Sequence, residues 1–132
     1  MRAVVGRVVV AIIACLVVVA CGCLSPAGAA ASDPFYGRGM WIWQVGRSAG
    51  GNPAAIAAQA RLNGVKTLFI KSGDGSGYWS QFNAPLVRAL HAAGLNVCAW
   101  QYVYGANPLT EAAVGARAVR NGADCLVIDA EA

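Results

Sequence analysis

Charge is scarce in this chain and histidine nearly missing. Of its 132 residues only 12% are Asp, Glu, Lys or Arg, and there is one His. No histidine cluster exists to support a transition-metal site. The basic residues form neither a run nor a stripe, which excludes the electrostatic footprint of a nucleic-acid-binding protein. Phosphate-binding signatures are missing as well. "VGRSAGGN" (45–52) does not have the G-x-G-x-x-G spacing. "SGDGSG" (Ser72–Gly77) lacks the G-K-[ST] ending and an immediate helix, so a flexible loop is expected there.

What is present begins with a leader. A short basic segment, "MRAVVGR", precedes an uncharged apolar run from Val8 to Leu24, and small residues, "SPAGAAAS", follow. That order is the three-part pattern of a secretory signal, with a cut after Ala29 or Ala31. "VVAC" (Val18–Cys21) also resembles a bacterial lipobox, which would make Cys21 a lipidated first residue. An uncleaved anchor is the third reading, since about 17 apolar residues sit at the lower limit for a span. All three export the chain, and the second and third tether it to a membrane. The organisation expected is a signal or anchor over 1–31, a linker over 32–39 and one domain over 40–132.

Without Arg2 and Arg7 the remainder has eight basic and six acidic residues, a net of +2. Three of the five cysteines lie in the leader, leaving Cys98 and Cys125. An oxidising compartment would allow them to pair. Both fall in strands expected to be buried, however, and two small apolar thiols packed in a core are the plainer expectation.

Three segments then share one grammar. "NPAAIAAQARLNG" (Asn52–Gly64), "NAPLVRALHAAG" (Asn83–Gly94) and "NPLTEAAVGARAVRNG" (Asn107–Gly122) each open on Asn with an early Pro and stop at Gly. Asn caps the free N–H groups of a first helical turn, Pro is tolerated there, and Gly ends the helix. An apolar run precedes the first segment and follows each of them, giving strands at about 40–45, 66–71, 96–103 and 125–131. Their nearly continuous hydrophobicity marks strands covered on both faces of a parallel sheet. Alternating strands and helices define the α/β class. A (β/α)8 barrel needs about 250 residues, so the expectation is the N-terminal half of such a barrel, about four parallel strands and three helices, cut short. An open doubly wound sheet is the competing architecture.

The last strand ends "CLVIDAEA". Asp129 and Glu131 are two apart, so they share a face, with Cα atoms roughly 6.6 Å apart. They also stand at the strand end where barrel enzymes place catalytic groups. Two carboxyls so close cannot both ionise freely, and one protonated acid beside one charged partner is what glycoside hydrolysis uses. Two acids merely ending a strand at the surface, or ligands for Mg²⁺ or Ca²⁺, are the other readings. His91 lies in the second helix, on the outer ring, and is not expected to act as a base. Trp43, Trp100, Tyr102 and Tyr104 lie at or near strand ends, and Tyr78 and Trp79 follow the glycine loop. Flat rings with a polar edge suit sugar faces, although core packing accounts for such rings equally well. Lys71, ending the second strand, would bond a substrate or hold a carboxylate charged, and a plain solvated lysine is the other reading.

These residues carry a resemblance. "FIKSGDG" (Phe69–Gly75), "HAAGL" (His91–Leu95), "WQYVY" (Trp100–Tyr104) and "DAE" (Asp129–Glu131) are similar to segments of the family-25 glycoside hydrolases, secreted muramidases built on a (β/α) barrel. The likeness runs from about Met40 to Glu131. It implies Glu131 as general acid and Asp129 as stabiliser of a cationic transition state. D-x-E also recurs in chitinase-like barrels. One departure stands out: the family usually has an acid five residues before the Gln of its first strand, and here that position is Gly39. The expected partner is a cell-wall or other extracellular polysaccharide, and no cofactor is implied. A non-catalytic carbohydrate-binding or envelope-tethered protein and a metal-dependent barrel enzyme are the alternatives. The sequence sets no oligomeric state.

Overall fold

The computed structural model describes residues 33–131. The signal, anchor and lipidation readings, with Cys21, lie outside the described residues. Five strands and three α-helices form an α/β unit. In chain order these are β1 (Arg38–Ile42), α1 (Pro53–Leu62), β2 (Val65–Asp74), β3 (Gly77–Tyr78), α2 (Ala84–Ala92), β4 (Asn96–Tyr102), α3 (Pro108–Arg120) and β5 (Cys125–Asp129). Two single 3-10 turns, Val45–Arg47 and Ala49–Gly51, join β1 to α1. The sheet order is β1-β2-β4-β5, all parallel, with β3 folded back antiparallel on the end of β2. β1 starts inside the stretch expected as linker, because Gly39 to Ile42 pair with Thr67 to Ile70.

The helices begin and end where their punctuation requires, with one substitution of means. The Asn52 side chain accepts from the N–H groups of Ala54 and Ala55, and Asn83 accepts from Leu86. Asn107 makes no such bond. Its place is taken by Glu111, one turn into α3, whose carboxylate accepts from the N–H groups of Tyr104, Gly105 and Asn107 at 3.2, 3.1 and 3.3 Å. Glu111 is only 5% exposed, and the three donors satisfy a charge that burial would otherwise penalise. Gly64, Gly94 and Gly122 follow the helix ends at φ of +65°, +80° and +99°, the left-handed geometry that closes a helix.

All three helices pack on one face. Ile42, Leu68, Ile70, Val97 and Ala99 share that face by strand register and form one core with Ile56, Ala57 and Ala60 of α1, Leu86, Val87 and Leu90 of α2 and Ala118 of α3. Burying each large aliphatic side chain contributes about 1.5–3 kcal/mol. The opposite face carries Trp41, Thr67, Phe69, Lys71, Cys98, Trp100 and Val127, and no helix among the described residues covers it. Trp41 is 56% exposed there, stacked on Phe69 at 5.0 Å and edge-on to Trp100 at 5.6 Å.

Two expectations change. The glycine stretch after β2 is no flexible loop: Gly73 and Asp74 pair with Tyr78 and Gly77 in a tight hairpin. The cysteines are not free thiols, since Cys98 and Cys125 form a disulfide. They are direct partners across the β4–β5 ladder with Cα atoms 4.6 Å apart, a spacing within the disulfide range. The bridge closes a loop of 27 residues in sequence separation. By loop-closure entropy, replacing both cysteines by Ser is expected to lower unfolding free energy by about 3.5 kcal/mol. Urea unfolding of wild type and the double variant measures this; an unchanged midpoint would show that the ladder alone holds β5.

Candidate functional site

At the C-terminal ends of the strands, the face without helices forms a cleft of about 400 Å³. It is lined by Trp43, Lys71, Asp74, Trp100, Tyr102, Tyr104, Asp129 and Glu131. Strand alternation explains most of this set. Trp100 and Tyr102 lie two apart on β4, Lys71 pairs with Trp100 and Asp129 pairs with Tyr102. Asp74 needs a further device, because three residues after Lys71 a regular strand would point it at the helices. A β-bulge supplies it: Lys71 pairs with Trp100, but Gly73 pairs with Gln101, leaving Ser72 as an extra residue. The shift returns Asp74 to the cleft opposite Tyr102. It also turns position 73 toward α3, where a Cβ would come within 2.4 Å of the Val114 Cγ1; only Gly fits.

Lys71 is 4% exposed. Its Nζ lies 2.5 Å from the Asp74 Oδ2 and sits among four rings, 4.8 Å from the centroids of Trp79 and Trp100, 5.4 Å from Trp43 and 6.0 Å from Tyr102. Cation–π attraction and a full counter-charge together offset the loss of hydration. The other Asp74 oxygen accepts from the Tyr104 hydroxyl at 2.8 Å. The Lys71 ammonium holds the Asp74 carboxyl below the usual carboxylate range, with the Tyr104 hydroxyl adding and partial burial opposing. The same bond pushes the Tyr104 phenol up.

Asp129 is half-buried at the end of β5, and its carbonyl accepts from the Val103 N–H at 3.0 Å. Glu131 is exposed, and its carbonyl accepts from the Tyr102 hydroxyl at 3.2 Å. Both line the same cleft. The cleft mouth is flanked by the open rings of Trp43 and Tyr104, 62% and 66% exposed. Gln81 ties the surrounding loops together, donating to the carbonyls of Trp43 (2.7 Å) and Lys71 (2.9 Å) and accepting from the Val45 N–H at 3.0 Å.

Six of the expected sugar-contacting and acid residues other than Tyr78 and Lys71 thus meet in one place with Lys71; Tyr78 does not join them. Its hydroxyl bonds the Phe82 carbonyl and accepts from Asn121 at 2.7 Å, with Arg117 4.1 Å above the ring, so it braces the helix layer. Trp79, its neighbour, reaches Lys71 instead. His91 lies away from the cleft, bonded at 2.8 Å to Asp124, which also accepts from the Val97 N–H. Asp74 and Gln81 are the residues that sequence reasoning did not assign to the site. A Gly on either side of Asp74 was the available signal, since glycines inside a strand pattern mark bulges and turns. At Gly39 a Cβ would stand 2.6 Å from the Phe69 ring, so Phe69 fills the space that an acid on β1 would need. Among the described residues no group of three or more His, Cys, Asp or Glu is placed to hold a metal ion. A cavity of similar size, about 420 Å³, opens beside Asp33, Tyr36, Lys66, Gly94 and Asn96, but brings together neither paired acids nor stacked rings.

Compared with known protein families, curated proteins and solved structures, the chain has no match.

The ion pair sets a pH dependence. A carboxyl whose folded value is depressed contributes stability that is full above its unfolded value, about pH 4, and is lost as pH falls through the folded value. Asp74→Asn is therefore expected to melt below wild type near neutral pH, the gap closing as acid protonates the native carboxyl. Thermal melts between about pH 2 and 7 test this; a gap of constant size would remove the ion pair as its cause.

Proposed function

We propose that this chain carries the acid-bearing sector of an exported glycoside hydrolase on a (β/α)8 barrel, acting on a β-linked, acetamido-sugar-rich polysaccharide. The observation that carries the reading is the shared cleft of Asp129 and Glu131, flanked by open aromatic rings. Consecutive parallel strands in unbroken order with all three described helices on one face support barrel winding, because a doubly wound sheet reverses its order and carries helices on both faces. The acids stand at the strand ends where that architecture does its chemistry. Export rests on the basic, apolar and small-residue order of the first 31 residues.

In this reading Glu131 protonates the leaving glycosidic oxygen. Asp129, nearer the sheet, stabilises the positive sugar or directs the water. Trp43 and Tyr104 stack on sugar faces. Lys71 and Asp74 hold the floor of the cleft in one arrangement. The competing reading is a carbohydrate-binding protein without hydrolytic activity. Phe69 favours it, since its ring leaves no room at Gly39 for the acid of the family that the sequence resembles.

A general acid contributes about 10²–10⁴-fold to rate. Full-length protein carrying Glu131→Gln is expected to release reducing ends from cell-wall glycan at least ~100-fold more slowly while still binding it. An unimpaired variant would remove Glu131 from the chemistry. Wild-type protein that binds insoluble glycan and releases no ends would decide for the binding reading.

A further inference from the structure

The strand-entry end of the sheet, opposite the cleft, has a corner that the proposed chemistry does not use. Two large side chains with apolar bodies stand open there. Tyr36, just before β1, is 81% exposed, and Leu62, the last residue of α1, is 86% exposed. Around them the fold gathers three cations that are scattered in sequence. Arg38 starts β1, and its guanidinium donates to the Asn63 carbonyl at 2.6 Å, tying the strand to the end of α1. Arg61 lies in the last turn of α1. Lys66 enters β2 beside Gly37, where an added Cβ would stand 3.2 Å from the Lys66 Cγ. All three are exposed. Asp33 borders the corner, lining with Tyr36 and Lys66 a cavity of about 420 Å³, and the three cations leave a positive surplus over its carboxylate. Cations near a helix C-terminus answer the helix dipole, which accounts for Arg61 and for the Arg38 bond. It does not account for Leu62 and Tyr36 left in water between them.

We infer that this corner is a foot that rests on an anionic phospholipid bilayer and leaves the cleft turned outward. A phenol ring and an aliphatic side chain beside Lys and Arg are the parts of an interfacial contact: the apolar groups enter the headgroup boundary and the cations meet lipid phosphates. The course of the chain adds a second argument. The polypeptide enters the domain at this corner through residues 33–38, so a chain held at a membrane by the proposed leader is held next to it. β2 runs from Val65 to Asp74, which sets the cleft about 30 Å further from the bilayer at about 3.3 Å per residue. Further strands would extend the sheet beyond β1 and β5 and leave its strand-entry end open, so the foot does not depend on them. A contact this small is weak alone, and a tether makes it sufficient by raising local concentration. The inference takes up the proposed export and does not rest on the acid chemistry of the cleft.

Hydrogen exchange of the full chain in nanodiscs of phosphatidylcholine, with and without phosphatidylglycerol, tests this. Amides of residues 35–38 and 61–66 are expected to exchange at least ~5-fold more slowly in the anionic discs. Those of residues 102–107, at the cleft end, should exchange at one rate in both. High salt should remove the difference by screening. Arg61→Glu combined with Lys66→Glu should remove it at low salt, with circular dichroism verifying that the variant stays folded; should it not fold, the wild-type comparison between the two lipids decides alone. Equal exchange in the two lipids, slowing at the cleft end instead, or slowing that free poly(glycerol phosphate) reproduces without lipid would overturn the membrane contact. Those outcomes leave glycan cleavage by the cleft untouched, and an unimpaired Glu131→Gln variant would leave the exchange pattern as it is, so the two readings fail separately.

Discussion

Leu68, Ile70, Val97 and Ala99 point from adjacent strands into a single layer of three helices. With a side-chain period of two, that packing forces Phe69, Lys71, Cys98 and Trp100 onto the other face. The helix layer is where most of the apolar area is buried and it leaves little freedom of register, because a slip of one residue would exchange the two faces completely. The chemistry of the chain is therefore displayed as a consequence of its core. Trp100 faces the cleft because Ala99 must face the helix layer, and Asp129 does so because Leu126 packs behind β5.

Lys71 is where the two demands meet. A buried ammonium is costly unless paired and enclosed, and here both conditions are met by residues from separate elements: Asp74 beyond the bulge, Trp43 after β1, Trp79 after the hairpin and Trp100 on β4. Each of these side chains is fixed by the same cation. The ion pair consequently ties loops from separate elements to one point.

Much of this arrangement was legible in the sequence because punctuation and period are local signals. Asn52 and Asn83 cap as their type suggests, and glycines close all three helices. Alternation along β4 placed Trp100 and Tyr102 together. The failures share a different cause, dependence on distant partners. Asn107 resembles its two counterparts but yields its role to Glu111, whose side chain reaches back across a turn. Asp74 was hidden by a bulge that depends on Gly73 passing Val114 of α3. Cys98 and Cys125 read as core thiols until their register made them neighbours. Tyr78 and Trp79 are adjacent in sequence, and only the hairpin decides which of them meets the helices and which the cleft.

Asp129 ends β5 and Glu131 lies two residues beyond it, and β5 pairs only with β4 among the described strands. An edge strand held by one ladder is free to fray, and its carboxylates would then lose the fixed separation that acid–base work needs. Cys125 lies four residues before Asp129 and its disulfide to Cys98 bonds β5 covalently to β4, the strand carrying Trp100 and Tyr102. The Tyr102 hydroxyl reaches on to the Glu131 carbonyl, so β5 is pinned below and above the acid pair. Since Trp100 in turn donates to the Ile42 carbonyl across β2 at 3.3 Å, the position of Asp129 is tied through β4 to the opposite edge of the sheet. The precision of the cleft thus comes from cross-strand links on the very face that the helices leave uncovered, where packing alone would not supply it.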